Sequence, residues 1–131
     1  MASGATIRYG IPMKTITCDI WQFVRLMDLL EDQPEGPAFR QWAEAWTELD
    51  ARLAELAATD HEAYSELMMD RQITLDCPGK SVRDDAARAA ERVIGRLDRA
   101  LNQAPRGDLA DSLAFEKREM EDLLVRLKAG A

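Results

Sequence analysis

The 131-residue sequence predicts an all-α fold: an antiparallel bundle of four long helices and one shorter helix, preceded by an extended N-terminal arm. Three observations lead there. Apolar residues recur at helical spacing through nearly all of residues 14–131, as they do when one stripe of each helix faces a core. Each break in that spacing falls on a cluster of proline, glycine, aspartate or asparagine, the residues that turn a chain. The length corresponds to one ordinary domain, large enough to bury a core without disulfide or metal staples, and the five periodic segments joined by short breaks favour hairpin neighbours.

Residues 1–13 carry two glycines and a proline with no helical period, so they predict an extended arm. Met13 is an alternative start, and Ile7, Tyr9 and Ile11 are the side chains by which such an arm would dock. From Thr15 onward, Ile16, Ile20, Phe23, Met27 and Leu30 fall on one helical face. Asp32 to Pro37 then breaks the chain. A second helix starts near Pro37, because a proline at the first helical position lacks only an N–H that would be unpaired anyway. Its inward stripe is Phe39, Trp42, Trp46, Leu49, Leu53 and Leu56, and Glu44, Glu48 and Glu55 lie opposite, with Glu48 spaced to pair with Arg52. Thr59 and Glu62 have capping-box spacing, which starts a third, shorter helix reaching about Leu75.

Asp76 to Lys80 reads as a loop, and Ser81 with Asp84 three residues on starts a fourth helix. Its inward face is Val82, Ala86, Ala89, Ala90, Val93, Leu97 and Leu101, where the alanines allow close helix contact. Asn102 to Gly107 turns the chain again. Asp108 caps a last helix with Leu109, Leu113, Met120, Leu124 and Leu127 inside and Gly130 just past its end. No alternating pattern in the sequence competes as a strand.

The formal charge is −7, and it is uneven: residues 14–60 hold ten acidic against four basic side chains. An acidic domain lacks the basic stripe that nucleic acid or an anionic membrane surface requires, so neither is expected as a partner. A basic protein partner fits better. The longest uncharged stretch, Met1 to Ile7, is far shorter than the ~18 to 20 apolar residues of a transmembrane helix, and no signal-peptide core is present. Two cysteines, Cys18 and Cys77, are too few for a secreted disulfide framework and lack metal-ligand spacing. Free thiols and a cytoplasmic location are the expectation.

Chemical motifs are sparse. Cys77-Pro78-Gly79-Lys80-Ser81 resembles the end of a phosphate-binding loop, yet Thr74 occupies the place of its first glycine and no buried strand precedes it. A Pro-Gly turn feeding a serine N-cap explains the same residues, while Lys80, Ser81 and Arg83 at a helix N-terminus suit an anion. His61 is the sole histidine, which removes di-iron, zinc and triad chemistry. A Cys77–His61 thiolate pair is the one enzymatic option left, helped by a helix N-terminus that would lower the thiol pKa. Arg88, Arg92, Arg96 and Arg99 share an arc of about 80° at ~100° per residue, suited to carboxylates or phosphates unless neutralised by Asp84 or by the Glu44 row.

Among the eight aromatic residues, Phe23, Phe39, Trp42 and Trp46 sit where a core wants them, whereas Trp21 and Phe115 point away from their helices' main stripes among charged neighbours. That composition matches an interface anchor with a polar rim, and it equally matches a second intramolecular contact. The sequence therefore predicts a non-catalytic binding or accessory protein, or homodimer, without cofactor, metal or catalytic residues. Its partner-binding residues are Trp21, Glu44, Glu48, Glu55 and Phe115. The alternative is a small-ligand or anion binder using Lys80, Ser81, Arg88, Arg92, Arg96 and Arg99, or an interior space near Trp42, Trp46, Tyr64, Met68 and Met69.

Overall fold

The computed structural model describes residues 14–104 and 106–129. The 1–13 arm with Ile7, Tyr9 and Ile11, and Gly130 as a stop, lie outside the described residues. The elements in chain order are strand β1 (Thr15–Asp19), helices α1 (Ile20–Leu30), α2 (Pro37–Thr59) and α3 (His61–Asp70), strand β2 (Gln72–Asp76), and helices α4 (Lys80–Gln103) and α5 (Asp108–Ala129). The protein is mostly helical, and the periodicity of α2, α4 and α5 predicts those helices closely.

Two segments read as helix are strands. The spacing predicts a helix from Thr15 and a third helix running to Leu75; the structure instead pairs residues 15–19 with 72–76 in a two-stranded antiparallel sheet. Both segments alternate in the strand period: Ile16 and Cys18 face Leu75 and Ile73 across the pair, while Thr17 and Thr74 face each other with hydroxyls 2.8 Å apart. Their β-branched Thr and Ile residues suit a pleated, half-buried surface. The ladder continues where Ile20 N–H donates to the Arg71 carbonyl at 3.0 Å and Cys77 N–H to that of Lys14 at 2.6 Å. With its first turn converted to strand, α1 spans 11 residues and α3 spans 10, against 22 to 24 for α2, α4 and α5.

Helix α1 is the centre of the molecule. Eight of its 11 residues are buried, including Phe23, Leu26, Met27 and Leu29, and only Arg25 and Asp28 are exposed. A helix apolar nearly all round has to be surrounded. Helices α2 and α3 cover one side and α4 another, and α5 reaches the remaining side through side-chain bonds. Gln22, 2% exposed, stitches this closure: its Oε1 accepts from Asp19 N–H at 2.9 Å and its Nε2 donates to the Glu119 carbonyl at 2.9 Å. Arg25 pairs with Glu116 at 3.1 Å, and Arg126 donates to the Thr17 carbonyl, so α5 runs antiparallel to β1 and α1. The pairs Lys117–Asp98 (2.7 Å) and Lys128–Glu91 (3.3 Å) set α5 antiparallel to α4 as well.

Caps explain most of the boundaries. After α1, the N–H groups of Asp32 and Gln33 tighten onto Leu29 and Leu30, and Pro34 disfavours further helix at the residue before it. Helix α2 begins with Gly36 extended and Pro37 at its first position. Its second residue, Ala38, donates its N–H to Asp85 Oδ2 of α4 at 3.0 Å, so a carboxylate 47 residues away caps this helix. Between α2 and α3 the cap is Asp60, accepting from Ala63 N–H at 3.1 Å, and not Thr59, whose hydroxyl donates back to the Glu55 carbonyl. Helix α4 starts one residue before Ser81, behind an extended Gly79. Helix α5 starts from Gly107, whose φ of 95° suits glycine and whose carbonyl accepts from Asp111 N–H at 3.0 Å, so Asp108 is its first residue and not its cap.

Candidate functional site

Helices α1, α2 and α3 leave a cleft of about 370 Å3 between them. Helical spacing supplies its walls. From α1 come Val24, Asp28 and Glu31 at i, i+4 and i+7; from α2 come Trp46, Asp50 and Leu53 at the same intervals; from α3 come Tyr64 and Met68 one turn apart. Trp46 forms part of the lining with its ring held in the core, 8% exposed and packed edge-on against Phe23 at 6.0 Å. Its Nε1–H donates to Glu31 Oε2 at 3.1 Å, which fixes that carboxylate at the rim.

Three carboxylates thus border an apolar and aromatic surface, and Asp28, Glu31 and Asp50 form no ion pair among the described residues. Partial burial raises the Asp28 pKa above the usual carboxylate value, and the negative charges of Glu31 and Asp50 push the same way, opposed by Arg25 and Arg96. Accumulated negative charge beside Trp46, Tyr64 and Met68 suits the side chain of a lysine or arginine. Such a group lays its apolar stem on the wall, its cationic head on the carboxylates, and gains from the aromatic faces.

The structure distributes the sequence-predicted residues unevenly. Trp21 is a correction: it is 5% exposed and belongs to the core cluster, because its side of α1, which also carries Arg25, is the side that α5 covers. It is no surface anchor. Phe115, 44% exposed on α5, is at the surface. Glu44, Glu48 and Glu55 are exposed on the side of α2 turned from the core, and Arg52 pairs with Glu55 at 3.6 Å in place of Glu48. They stand apart from the cleft, around the circumference of α2. Of the interior residues, Trp46, Tyr64 and Met68 meet in the cleft. Trp42 is core, its Nε1–H donating to the Asp76 carbonyl at 2.8 Å, and Met69 is 56% exposed outside the cleft.

The anion-binding residues do not assemble into one site. The Lys80 ammonium is bonded to Asp84 Oδ2 at 2.9 Å, and Ser81 is exposed in the first turn of α4. Arg88 and Arg92 line a depression with Leu29, Leu30 and Gln33 at the C-terminal end of α1, where helix carbonyls carry partial negative charge. Arg88 also reaches Asp85 at 3.5 Å, and Arg96 borders a second cavity with Asp28 and Glu116. The neighbours of the arginine row are therefore acids of α1, α4 and α5, not the Glu44 row. Arg92 and Arg99 form no ion pair among the described residues.

The structure places both thiols in the interior. Cys18 and Cys77 are both buried and free, and the register that pairs Cys18 with Ile73 places them too far along the ladder for a bridge. Burial pushes the Cys18 thiol up to about 12, with Arg126 opposing, and burial likewise raises Cys77 against the pull of Arg83. Burial thus acts against thiolate formation at both positions. His61 is exposed at the start of α3.

Sequence reasoning missed Asp28, Glu31 and Asp50. The signal was present as a repeated spacing, Val24-Asp28-Glu31 on one helix and Trp46-Asp50-Leu53 on the next, each placing an acid one turn beyond an apolar residue of the lining. Comparison with family models, curated proteins and solved structures finds no match to this chain.

Proposed function

We propose that the protein is a non-catalytic binding or accessory module that receives a basic segment of a partner protein in the cleft between α1, α2 and α3. One observation carries the reading: three carboxylates that form no ion pair among the described residues, Asp28, Glu31 and Asp50, border a space walled by Val24, Trp46, Leu53, Tyr64 and Met68. Met68 and the aromatic rings supply an adaptable apolar wall, and the acids supply specificity for a cation. Glu44, Glu48 and Glu55 add a long-range negative field that speeds encounter with a basic partner without touching the docked segment. The two unlinked, buried thiols accord with a reducing, cytoplasmic setting.

The test is tryptophan-fluorescence titration with a short peptide of alternating lysine and leucine, against a glutamate-for-lysine control peptide. Asp28→Asn/Glu31→Gln/Asp50→Asn should weaken binding at least tenfold, while Glu44→Gln/Glu48→Gln/Glu55→Gln should slow association at low salt and leave dissociation unchanged. Equal affinity of the cleft variant and the native protein would dismiss the reading. A second reading, an anion binder on the arginine row, is favoured by the unpaired guanidinium groups of Arg92 and Arg99. Calorimetric titration with inorganic phosphate tests it, and no heat beyond dilution would exclude it.

A further inference from the structure

Helix α5 buries Ala110, Met120, Leu123 and Leu127 on one side. Its opposite side is exposed along its whole length, at Asp111, Phe115, Arg118, Asp122, Val125 and Ala129. These positions step by four and three residues alternately, so they form one continuous row down the helix, in which two large apolar side chains are interspersed with charged ones. Phe115 and Val125 remain 44% and 64% exposed on it, two of the four large apolar residues so exposed among the described residues.

The row is also symmetric about residue 120. Phe115 and Val125 lie five positions to either side, Arg118 and Asp122 two positions, and Asp111 and Ala129 nine. A second copy of this helix laid antiparallel, with its two-fold axis at that point, sets Phe115 against Val125 of the other copy and Arg118 against Asp122, each pair occurring twice. The four central positions thus complement themselves under a two-fold rotation, one pair by apolarity and one by charge, as an isologous contact requires, while Asp111 and Ala129 meet at its ends. Arg118 forms no ion pair among the described residues, and Asp122 uses only Oδ2 toward Arg126 Nε, 3.1 Å away, which leaves Oδ1 for the new guanidinium. We infer that the outward face of α5 is a homodimer interface, an antiparallel α5–α5 pair in which Phe115 packs on Val125 and Arg118 meets Asp122.

This contact goes beyond the proposed cleft and is independent of it, since the cleft lies among α1, α2 and α3. One helix laid on one helix falls short of the roughly 1,200 Å2 that stable complexes bury, so the dimer forms reversibly with concentration. Glu119 and Glu121 flank the axis and meet their own counterparts, and like charge opposing like weakens the association further.

Sedimentation velocity across a range of protein concentrations tests the inference. Arg118→Asp alone and Asp122→Arg alone should each weaken dimerisation about tenfold or more, whereas the combined swap should restore it to near the native value. Glu121→Gln should tighten it several-fold, and Phe115→Ser should abolish it. All these side chains are exposed, so circular dichroism should be unchanged in every variant. Phe115→Cys/Val125→Cys, oxidised in dilute solution, should yield a covalent dimer, because within one chain the two positions stand about 15 Å apart along the helix and cannot bridge. A native protein that stays monomeric at the highest attainable concentration, a charge swap that fails to restore association, or a double-cysteine variant that stays monomeric would each overturn the assignment.

Discussion

The carboxylate of Asp85 joins α4 to the start of α2, and removing it should loosen that joint by a calculable amount. Asp85 is 9% exposed and Ala38, whose N–H it accepts at 3.0 Å, is fully buried. Asp85→Ala leaves that donor without a partner, which costs ~1–3 kcal/mol. It also removes an anion from a helix N-terminus, worth about 0.3–1 kcal/mol more. Asp85→Asn keeps an acceptor oxygen and should lose only the smaller amount. The companion residue is Gly36: a Cβ there would stand 2.9 Å from Asp85 Oδ2 and 3.2 Å from the Gln33 carbonyl oxygen. Backbone φ at Gly36 is −68°, so Gly36→Ala acts through this collision and not through conformational strain. The methyl displaces the carboxylate and breaks the same bond, for a similar ~1–3 kcal/mol. In a double-mutant cycle the two changes should therefore overlap, with a coupling of about 1–2 kcal/mol, because the bond can be lost only once. Urea unfolding with constant m-values reads the energies, and each 1 kcal/mol should appear as roughly 4 °C in melting temperature. Additivity within about 0.5 kcal/mol, or an Asp85→Ala variant as stable as the native protein, would refute the cap. Arg88, 65% exposed and 3.5 Å from the other Asp85 oxygen, contributes little to this joint, so Arg88→Ala should fall within about ±0.5 kcal/mol.

Three further outcomes follow from burial and charge. Trp21→Ala should cost on the order of 3–5 kcal/mol in urea unfolding, as for other buried aromatics, while Phe115→Ala on the exposed side of α5 should shift stability by no more than about 0.5 kcal/mol. Cys18 should resist a thiol reagent in the folded protein and react once it is unfolded. Because its folded pKa is raised from 9.0 to about 12, its contribution to stability is complete below pH 9 and declines as pH rises toward 12, which alkaline unfolding midpoints of native protein and Cys18→Ala would reveal. Asp28, also raised, is most favourable when protonated and costs stability as pH climbs through the carboxylate range. Asp28→Asn should accordingly raise the urea midpoint at neutral pH and leave it unchanged near pH 3.

The helices α2, α4 and α5 were legible in the sequence because a helix's evidence is local. Trp42, Trp46, Leu53 and Leu56, or Val82, Ala86, Ala89 and Val93, repeat within a few turns, and the Pro and Gly clusters that bound them act on adjacent residues. The strands were not legible on the same terms. Thr15–Asp19 is only five residues long, and Ile16 to Ile20 satisfies the helical spacing as well as the alternating one. What decides the matter is the partner at Gln72–Asp76, 57 residues further on, which supplies the hydrogen bonds that a free segment of this length lacks. Trp21 shows the same division. Its angular position on α1 was fixed by the sequence, but whether that side meets solvent or another helix depends on where α5 lies, and Gln22 and Arg25 show that α5 lies there. The cleft is the furthest case. Its acids come from two helices and its aromatics from two, and no single amphipathic stripe encodes their meeting. The sequence determined the helical periods, the acidity of the first half and the positions of Phe115 and Val125 off the main stripe of α5; tertiary packing decided which faces were buried and which carboxylates became neighbours, because proximity between separate elements is a property of the folded chain alone.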